Sequence, residues 1–280
     1  MKPTILLTGA SGFVGRQLWK VLHQRAVTVV PVVRTGKADS FGAEPPPSSV
    51  VTTSDLFCEG DDWLRRACSG VDTIIHAAWY VEPGKYLLAP QNLDCLVGTL
   101  RLARAAAQAG VRRFVGIGTC FEYGFSAEPL STQTCLRPST PYAAAKAAAF
   151  MSLSQWLPTN NVEFAWCRLF YCYGEGENPK RLFPYVRSRL AAGLPAELSN
   201  GDKVRDYIDV RQAAEMIADV ALGSGVGAFN ICSGQGRTLR EIVEQIADEY
   251  DARSLLRFGA RLDQVAEPLS IIGVPGQSAE

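Results

Sequence analysis

The sequence predicts an α/β fold in which a parallel sheet carries helices on both faces and a smaller lobe follows toward the C-terminus. Three observations carry this reading. Short β-rich runs alternate with helical segments along most of the chain, the pattern of a parallel sheet built from crossover units. The first run, Thr4-Ile-Leu-Leu-Thr8, passes directly into a glycine turn, Gly9-Ala-Ser-Gly12-Phe-Val-Gly15, and then into an amphipathic segment. The chain has 280 residues, 47% of them apolar, enough for one large core and a small additional one.

Taken in order, Val27 to Val33 is a second strand, and Phe41 to Ser49, with Pro45-Pro-Pro47, is a surface loop because three prolines neither propagate a helix nor pair inside a sheet. Asp61-Asp62 supplies the acidic start of a helix ending near Gly70. Val71 to Ala77, Arg113 to Gly118 and Glu163 to Phe170 are further strands. Leu96 to Ala109 and Tyr142 to Leu157 are alanine-rich helices, the second with Pro141 in its first turn and Ser139 or Thr140 as its cap. Residues 175 to 203 carry Pro179, Pro184 and Pro195 and read as an irregular, inserted substrate-binding segment. No internal repeat is present.

Two motifs carry chemistry. In the glycine turn, Gly9 permits the reversal, Gly12 lets the backbone approach a pyrophosphate and Gly15 allows the helix to pack on the strand; Ser11, Phe13 and Val14 complete the loop, with the helix N-terminus facing the phosphates. The spacing is Gly-x-x-Gly-x-x-Gly. Downstream, Tyr142 and Lys146 stand four residues apart in Ser139-Thr-Pro-Tyr-Ala-Ala-Ala-Lys146, about one helical turn, and so share a face. A nearby ammonium and a cationic nicotinamide would favour the phenolate, which is the chemistry of hydride transfer.

Composition narrows the class. Lys and Arg number 28 and Asp and Glu number 28, so no global field recruits nucleic acid or an anionic membrane. The start, Met1-Lys-Pro-Thr, has no secretory pattern and no apolar run approaches a membrane span, which reads as cytoplasmic. Eight scattered cysteines without a Cys-x-x-Cys pair, accompanied only by His23 and His76, give neither a metal site nor a disulfide framework.

With these motifs in place the chain resembles an extended short-chain dehydrogenase/reductase of the nucleotide-sugar epimerase, dehydratase and reductase group. Asp55-Leu56 resembles the acid and apolar residue beside adenine, and Asp72-Thr-Ile-Ile-His-Ala77-Ala78 the strand and loop beneath the cofactor. Gly118-Thr119-Cys-Phe-Glu-Tyr123-Gly124 resembles the strand end that completes a catalytic triad. The resemblance implies a Rossmann-type doubly wound sheet in which Thr119, Tyr142 and Lys146 are catalytic. It also implies a cofactor domain over residues 1–170, with 204–234 added, and a substrate-binding lobe over 171–203 and 235–280. Phe229 to Gly234 resembles the last core strand. Arg205, in Val204-Arg-Asp-Tyr-Ile-Asp-Val210, is implied as the contact to a nucleotide diphosphate, Tyr171 stands where the family has a substrate-binding Asn, and Trp79, Tyr80 and Phe121 are read as walls of the sugar site. The two alanine-rich helices imply a homodimer through a four-helix interface.

Cofactor choice rests on Arg34, which follows Val32-Val33 where an NAD enzyme carries an acid; a guanidinium fork there favours NADP(H), with NAD(H) the alternative. The positions that carry acid/base residues in the family's dehydratases and decarboxylases are Cys120 and Phe121, and Glu122 is displaced toward the other face. Two outcomes remain. Reduction of a keto-deoxysugar by NADPH, at C4, is favoured over 4-epimerisation with retained NAD, and a non-catalytic NADP-binding regulator is the third reading.

Overall fold

The computed structural model describes residues 2–37, 49–125, 127–261 and 268–276. The Pro45–Pro47 loop expected from the sequence lies outside them. Seven strands form the central sheet: β1 (Thr4–Thr8), β2 (Thr28–Arg34), β3 (Val51–Thr53), β4 (Thr73–His76), β5 (Arg113–Thr119), β6 (Glu163–Leu169) and β10 (Gly227–Ile231). Their order is β10-β6-β5-β4-β1-β2-β3 and every neighbouring pair is parallel. The chain therefore begins in the middle, runs outward through β2 and β3, and returns to build the other half from β4. The reversal between β1 and β4 opens a crevice beyond the carboxyl ends of these strands.

Both faces of the sheet are covered, which is why its strands are apolar on both sides. Ile5, Leu7, Ile75, Val115 and Ile117 pack on the face of α1 (Phe13–His23) and α6 (Val210–Leu222). Leu6, Ile74, Phe114, Phe164 and Trp166 pack on the opposite face, under α2 (Asp61–Cys68), α3 (Gln91–Gln108) and α4 (Pro141–Trp156). Thr140 caps α4 by accepting the Ala143 N–H at 3.2 Å, with Pro141 in the first turn as expected. Six of the eight cysteines are buried, all are free, and Cys68 is pushed up to about 12 by burial.

The second lobe rests on a smaller sheet, in which β7 (Tyr171–Tyr173) and β13 (Ser270–Ile271) pair in parallel with β9 (Val204–Asp209), and β11 (Gly236–Thr238) pairs antiparallel on its far side. Segment 204–234 contributes to both units: β9 lies in the small sheet, whereas α6 and β10 belong to the large one. Residues 175–203, expected to be irregular, contain a ten-residue helix α5 (Leu182–Ala191) and a short strand β8 (Ala196–Glu197) paired with β12 (Leu256–Arg257). Pro184 does not break α5 because it stands in the first turn, where the missing N–H has no intrahelical partner to lose. Phe183, Val186 and Leu190 of α5 pack on Ile242, Val243 and Ile246 of α7 (Leu239–Asp248) to form the lobe's own core.

Candidate active site

The glycine turn at the end of β1 is built so that no side chain fits. Gly9 has φ +69°, and a Cβ there would lie 2.7 Å from the Ala78 nitrogen and 2.8 Å from the Ala77 carbonyl carbon. A Cβ on Gly15 would sit 2.1 Å from the Gly9 oxygen and 2.8 Å from the Ala10 Cα. The loop 77–78, the turn and the first turn of α1 are thus held in backbone contact, leaving the N–H groups that open α1 directed at the crevice. Ser11, Phe13 and Val14 are half-buried along this turn. Around its outer edge, Arg34 is exposed at the end of β2. Asp55 is also exposed and caps the turn Leu56–Cys58 by accepting the Phe57 N–H at 3.0 Å, and Leu56 is buried beneath it. Phe57 lies over Gly98 of α3, where a Cβ would meet it at 2.8 Å.

Beneath the turn, His76 bridges β1, β4 and α3. The Thr99 hydroxyl donates to the Cys95 carbonyl at 2.7 Å, so it must accept from His76 Nε2 at 2.9 Å, which leaves Nδ1 to accept from the Thr8 hydroxyl at 2.8 Å. Burial, reinforced by the Lys146 charge, holds this imidazole down to about 3 and therefore neutral.

Thr119, Tyr142 and Lys146 converge at the carboxyl end of β5. All three are buried. The Lys146 ammonium donates to the Ile117 carbonyl at 2.5 Å and lies 3.7 Å from the centroid of the Trp79 ring. Burial pulls its pKa down to about 7, with Glu122 opposing the shift. Trp79 is itself fixed: its Nε1 donates to Asn92 Oδ1 at 2.9 Å, and the Asn92 amide donates to the carbonyls of Tyr86 (2.6 Å) and Ala89 (2.9 Å). Tyr142 stands edge-on to Tyr86 (4.9 Å) and to Trp79 (6.4 Å). Burial pushes its phenol up, and the Thr119 hydroxyl only partly offsets this. In this arrangement, with the Lys146 ammonium on Ile117 and Trp79, burial dominates at the Tyr142 phenol.

Cys120 to Glu122 form a single helical turn after Thr119, and Glu122 folds back under it. Its carboxylate accepts the Thr119 N–H at 2.8 Å, the Trp166 Nε1–H at 3.0 Å and the Arg168 Nε–H at 2.8 Å. Both members of the Glu122–Arg168 pair are buried. Arg168 continues to the Tyr123 hydroxyl at 3.1 Å, which donates to Asn230 Oδ1 at 2.6 Å. Gly116 and Gly118 make room for this arrangement, since a Cβ at either would fall within 2.3 Å of the Trp166 ring.

On the lobe side an aromatic row begins at Phe121, whose ring meets Tyr171 at 5.9 Å; Tyr171 meets Tyr207 at 5.6 Å, and Tyr207 meets Phe183 at 5.1 Å. Arg205 is buried over Tyr171, 5.5 Å from the ring, and donates to the carbonyls of Val204 (2.7 Å) and Leu269 (3.2 Å). Its neighbour Asp206 accepts the N–H groups of Ser233 (2.8 Å), Gly234 (2.9 Å) and Gly273 (3.2 Å). Trp79, Phe121 and Tyr171 thus gather near Thr119 and Tyr142, whereas Arg34 and Asp55 stand apart at the outer end of the crevice. Asn92 and Trp166 were not singled out for function from the sequence, and Arg168 was read only as part of a substrate-side segment; a Trp and an Arg two residues apart, each opposite a glycine on the next strand, is the signal that points to Trp166 and Arg168.

A glycine cradle at a topological switch point, with a threonine, tyrosine and lysine converging beside it, defines a dinucleotide-binding protein of the short-chain dehydrogenase/reductase class. Residues 5–232 match the family model for the NAD dependent epimerase/dehydratase family, and the chain belongs to that family. It is 24% identical over 256 residues to the dTDP-6-deoxy-L-talose 4-dehydrogenase (NAD(+)) of Aggregatibacter actinomycetemcomitans, covering 89% of this chain and 91% of the relative. It is 29% identical over 262 residues to the GDP-6-deoxy-D-mannose reductase of Pseudomonas aeruginosa, covering 89% and 80%. Among solved structures, a UDP-N-acetylglucosamine 4-epimerase from Methanobrevibacter ruminantium shares the fold with a TM-score of 0.86 at 20% identity, covering 98% of this chain and 90% of that one. A dTDP-glucose 4,6-dehydratase from Streptomyces venezuelae with NAD bound gives 0.83 at 24%, covering 97% and 88%. No helix among the described residues is long and apolar enough to cross a membrane.

Proposed function

We propose that this chain reduces a ketone, at C4, on a nucleotide-linked keto-deoxysugar, using NADPH. One observation carries the choice of simple reduction. Glu122, the acidic side chain next to Thr119 in sequence, is closed into a buried pair with Arg168 and Trp166, so it cannot move protons at a neighbouring sugar carbon. Cys120 is buried and its thiol pushed well up, which removes it as an acid/base too. What is left at the reacting oxygen is a phenol beside one hydroxyl.

When bound, NADPH would supply the hydride for reduction of the carbonyl. Tyr142 donates its proton to the developing alkoxide. Thr119, whose hydroxyl accepts the Phe121 N–H at 3.3 Å and is hydrogen-bonded to Tyr142, would donate to that same oxygen. Lys146, one helical turn from Tyr142, would hold the cofactor ribose and, as a cation, help the phenol part with its proton. The cradle Gly9, Gly12 and Gly15, with Ser11, Phe13 and Val14, takes the pyrophosphate. Asp55 and Leu56 flank adenine, Ala77 and Ala78 lie beneath the cofactor, and Arg34 takes the 2′-phosphate. Trp79, Phe121 and Tyr171 wall the sugar, and Arg205 faces the diphosphate. Residues 1–170 with α6 and β10 form the cofactor domain, and 171–203 with 235–280 the substrate lobe. Leu93, Val97 and Met151 are exposed on α3 and α4 beside an apolar groove of about 510 Å³, which supports a homodimer through these helices. The free cysteines suit a reducing cytoplasm.

Use of NAD, supported by the name of the talose 4-dehydrogenase relative, and 4-epimerisation, supported by a UDP-glucose 4-epimerase relative, form the competing reading. A panel of dTDP-, GDP- and UDP-linked 4-keto-6-deoxysugars with NADPH, read by cofactor absorbance and product NMR, separates the two. With the substrate identified, Tyr142→Phe should lower kcat by about 10²- to 10⁴-fold while cofactor affinity is retained. Full turnover by Tyr142→Phe would refute the assignment, and absence of NADPH oxidation with every sugar would favour the epimerase or regulator reading.

A further inference from the structure

Glu122 has a second meaning. It is excluded as a proton carrier, yet the chain has placed a carboxylate, with all its desolvation cost, directly under the hydroxyl that the proposed reaction uses. We infer that Glu122 is a positioning residue for Thr119: paired with Arg168, it clamps the Thr119 backbone so that the hydroxyl proton is presented to the substrate oxygen. This rests on the function proposed above.

The geometry is restrictive. Glu122 Oε1 accepts from the Thr119 N–H and from Trp166, and Oε2 from Arg168, so the carboxylate is held by three donors on two adjacent strands, β5 and β6, and has no freedom to swing. Thr119 is held at both ends, its N–H given to Glu122 and its Oγ1 accepting the Phe121 N–H. The same hydroxyl is hydrogen-bonded to the Tyr142 phenol, so fixing the Thr119 backbone also fixes where the hydroxyl meets the reacting group. The anchor for the clamp lies in the sheet: Arg168 is opposite Gly118 in the register of β5 and β6, and its guanidinium is packed 4.7 Å from the Tyr123 ring and 4.4 Å from the Phe150 ring. A Cβ on Gly118 would lie 2.4 Å from Glu122 Oε1 and 2.1 Å from Trp166 Nε1. The two glycines before Thr119 therefore serve the clamp rather than the cofactor.

A neutral acceptor would satisfy the Thr119 N–H but not Arg168. In Glu122→Gln the amide must turn its NH₂ toward one of three donors, and the turn loosens. A shift of about 1 Å in a group aligned with the reacting atoms is worth about 10²-fold in rate, whereas groups that bind the substrate elsewhere are untouched. The loss should therefore fall on kcat and leave KM and NADPH affinity within about threefold.

The test is a double-mutant cycle between Glu122→Gln and Thr119→Val, with NADPH and the best-turned-over keto-deoxysugar of the panel. Thr119→Val removes the hydroxyl and keeps the volume. If Glu122 acts through that hydroxyl, Glu122→Gln lowers kcat about 10- to 100-fold in the parent and much less in the Thr119→Val background. Equal losses in both backgrounds, or an unchanged kcat in the parent, overturn the inference. Thr119→Val with full activity refutes instead the role of Thr119, so the two failures are distinguishable. Should Glu122→Gln not fold, the pair Glu122→Leu with Arg168→Met removes both charges at similar volume and is read in the same cycle. In the protein without substrate, faster hydrogen exchange at the Thr119 amide on loss of Glu122 supports the clamp, and unchanged exchange counts against it.

Discussion

Gly12 and Gly15 lie three residues apart in one turn, yet the structure assigns them separable roles, and alanine at each should fail differently. In Gly15→Ala the new methyl would meet the Gly9 oxygen at 2.1 Å and the Ala10 Cα at 2.8 Å, both backbone atoms that have no rotamer to relieve the contact. Helix α1 must retreat by roughly 1 Å to reach ordinary van der Waals separation. Overpacking of this kind costs about 1–3 kcal/mol, and because α1 carries Leu18, Trp19 and Leu22 into the core the displacement loosens its contacts with the sheet as well. Gly12 has φ −77° and ψ 174°, which any residue adopts, and its Cβ would meet only the Gly9 oxygen, at 3.1 Å. Gly12→Ala should therefore unfold within about 1 kcal/mol of the parent. Its methyl faces the crevice, so NADPH affinity should fall about tenfold or more through loss of close backbone approach. Urea unfolding and NADPH titration by fluorescence measure the two quantities. Equal stability loss in both variants, or a Gly15→Ala protein with parental stability and affinity, would refute this division of roles.

Arg34→Asp should narrow or reverse the preference for NADPH over NADH, since the 2′-phosphate would lose its cation and meet a like charge; equal affinity of the parent for both cofactors in calorimetry would remove the role given to Arg34. Acid stability should report His76: its folded pKa lies near 3 against 6.5 for the free side chain, so the unfolded chain takes up the proton first and stability declines as pH falls from 6.5 toward 3. Its share amounts to at most about 1.4 kcal/mol per pH unit, and His76→Gln should flatten that limb of a denaturant-midpoint curve, an unchanged slope arguing against it. Leu93→Asp on the exposed face of α3 should convert the proposed dimer to monomer in light scattering, and a parent that is already monomeric at micromolar concentration would eliminate the interface.

Much of the large sheet was legible because local pattern and tertiary role coincide there. Each of its inner strands is buried on both faces, so it appears in the sequence as a short apolar run, and Gly9 and Gly15 of the cradle have steric reasons. That Tyr142 and Lys146 stand one helical turn apart is likewise legible from their spacing. What sequence reading lost has a physical pattern too. β3, three residues long, is too short to show periodicity, and α5 was masked by Pro184, whose position in the first turn is harmless. The contacts of the Lys146 ammonium could not be read, because they are set by Ile117 and by Trp79 held on Asn92. Glu122 was placed correctly as turned away from the substrate, but its pairing with Arg168 joins residues 46 apart and has no local signature.

Residues 268–276 are woven into three separate parts of the molecule. Ile271 pairs with β9, the Leu130 N–H and carbonyl bond to the Ile272 carbonyl and the Val274 N–H, and Gly276 exchanges two hydrogen bonds with Asn230 of the large sheet. Gly273 meanwhile donates to Asp206, and Asn230 donates to Leu130 and Val274. During synthesis the N-terminal half-sheet can form as it emerges, but Asn230 and Asp206 stay short of acceptors and donors until residue 276 has been made. The end of the Glu122–Arg168–Tyr123–Asn230 chain, at Asn230, is thus tied down last, through Val274 and Gly276.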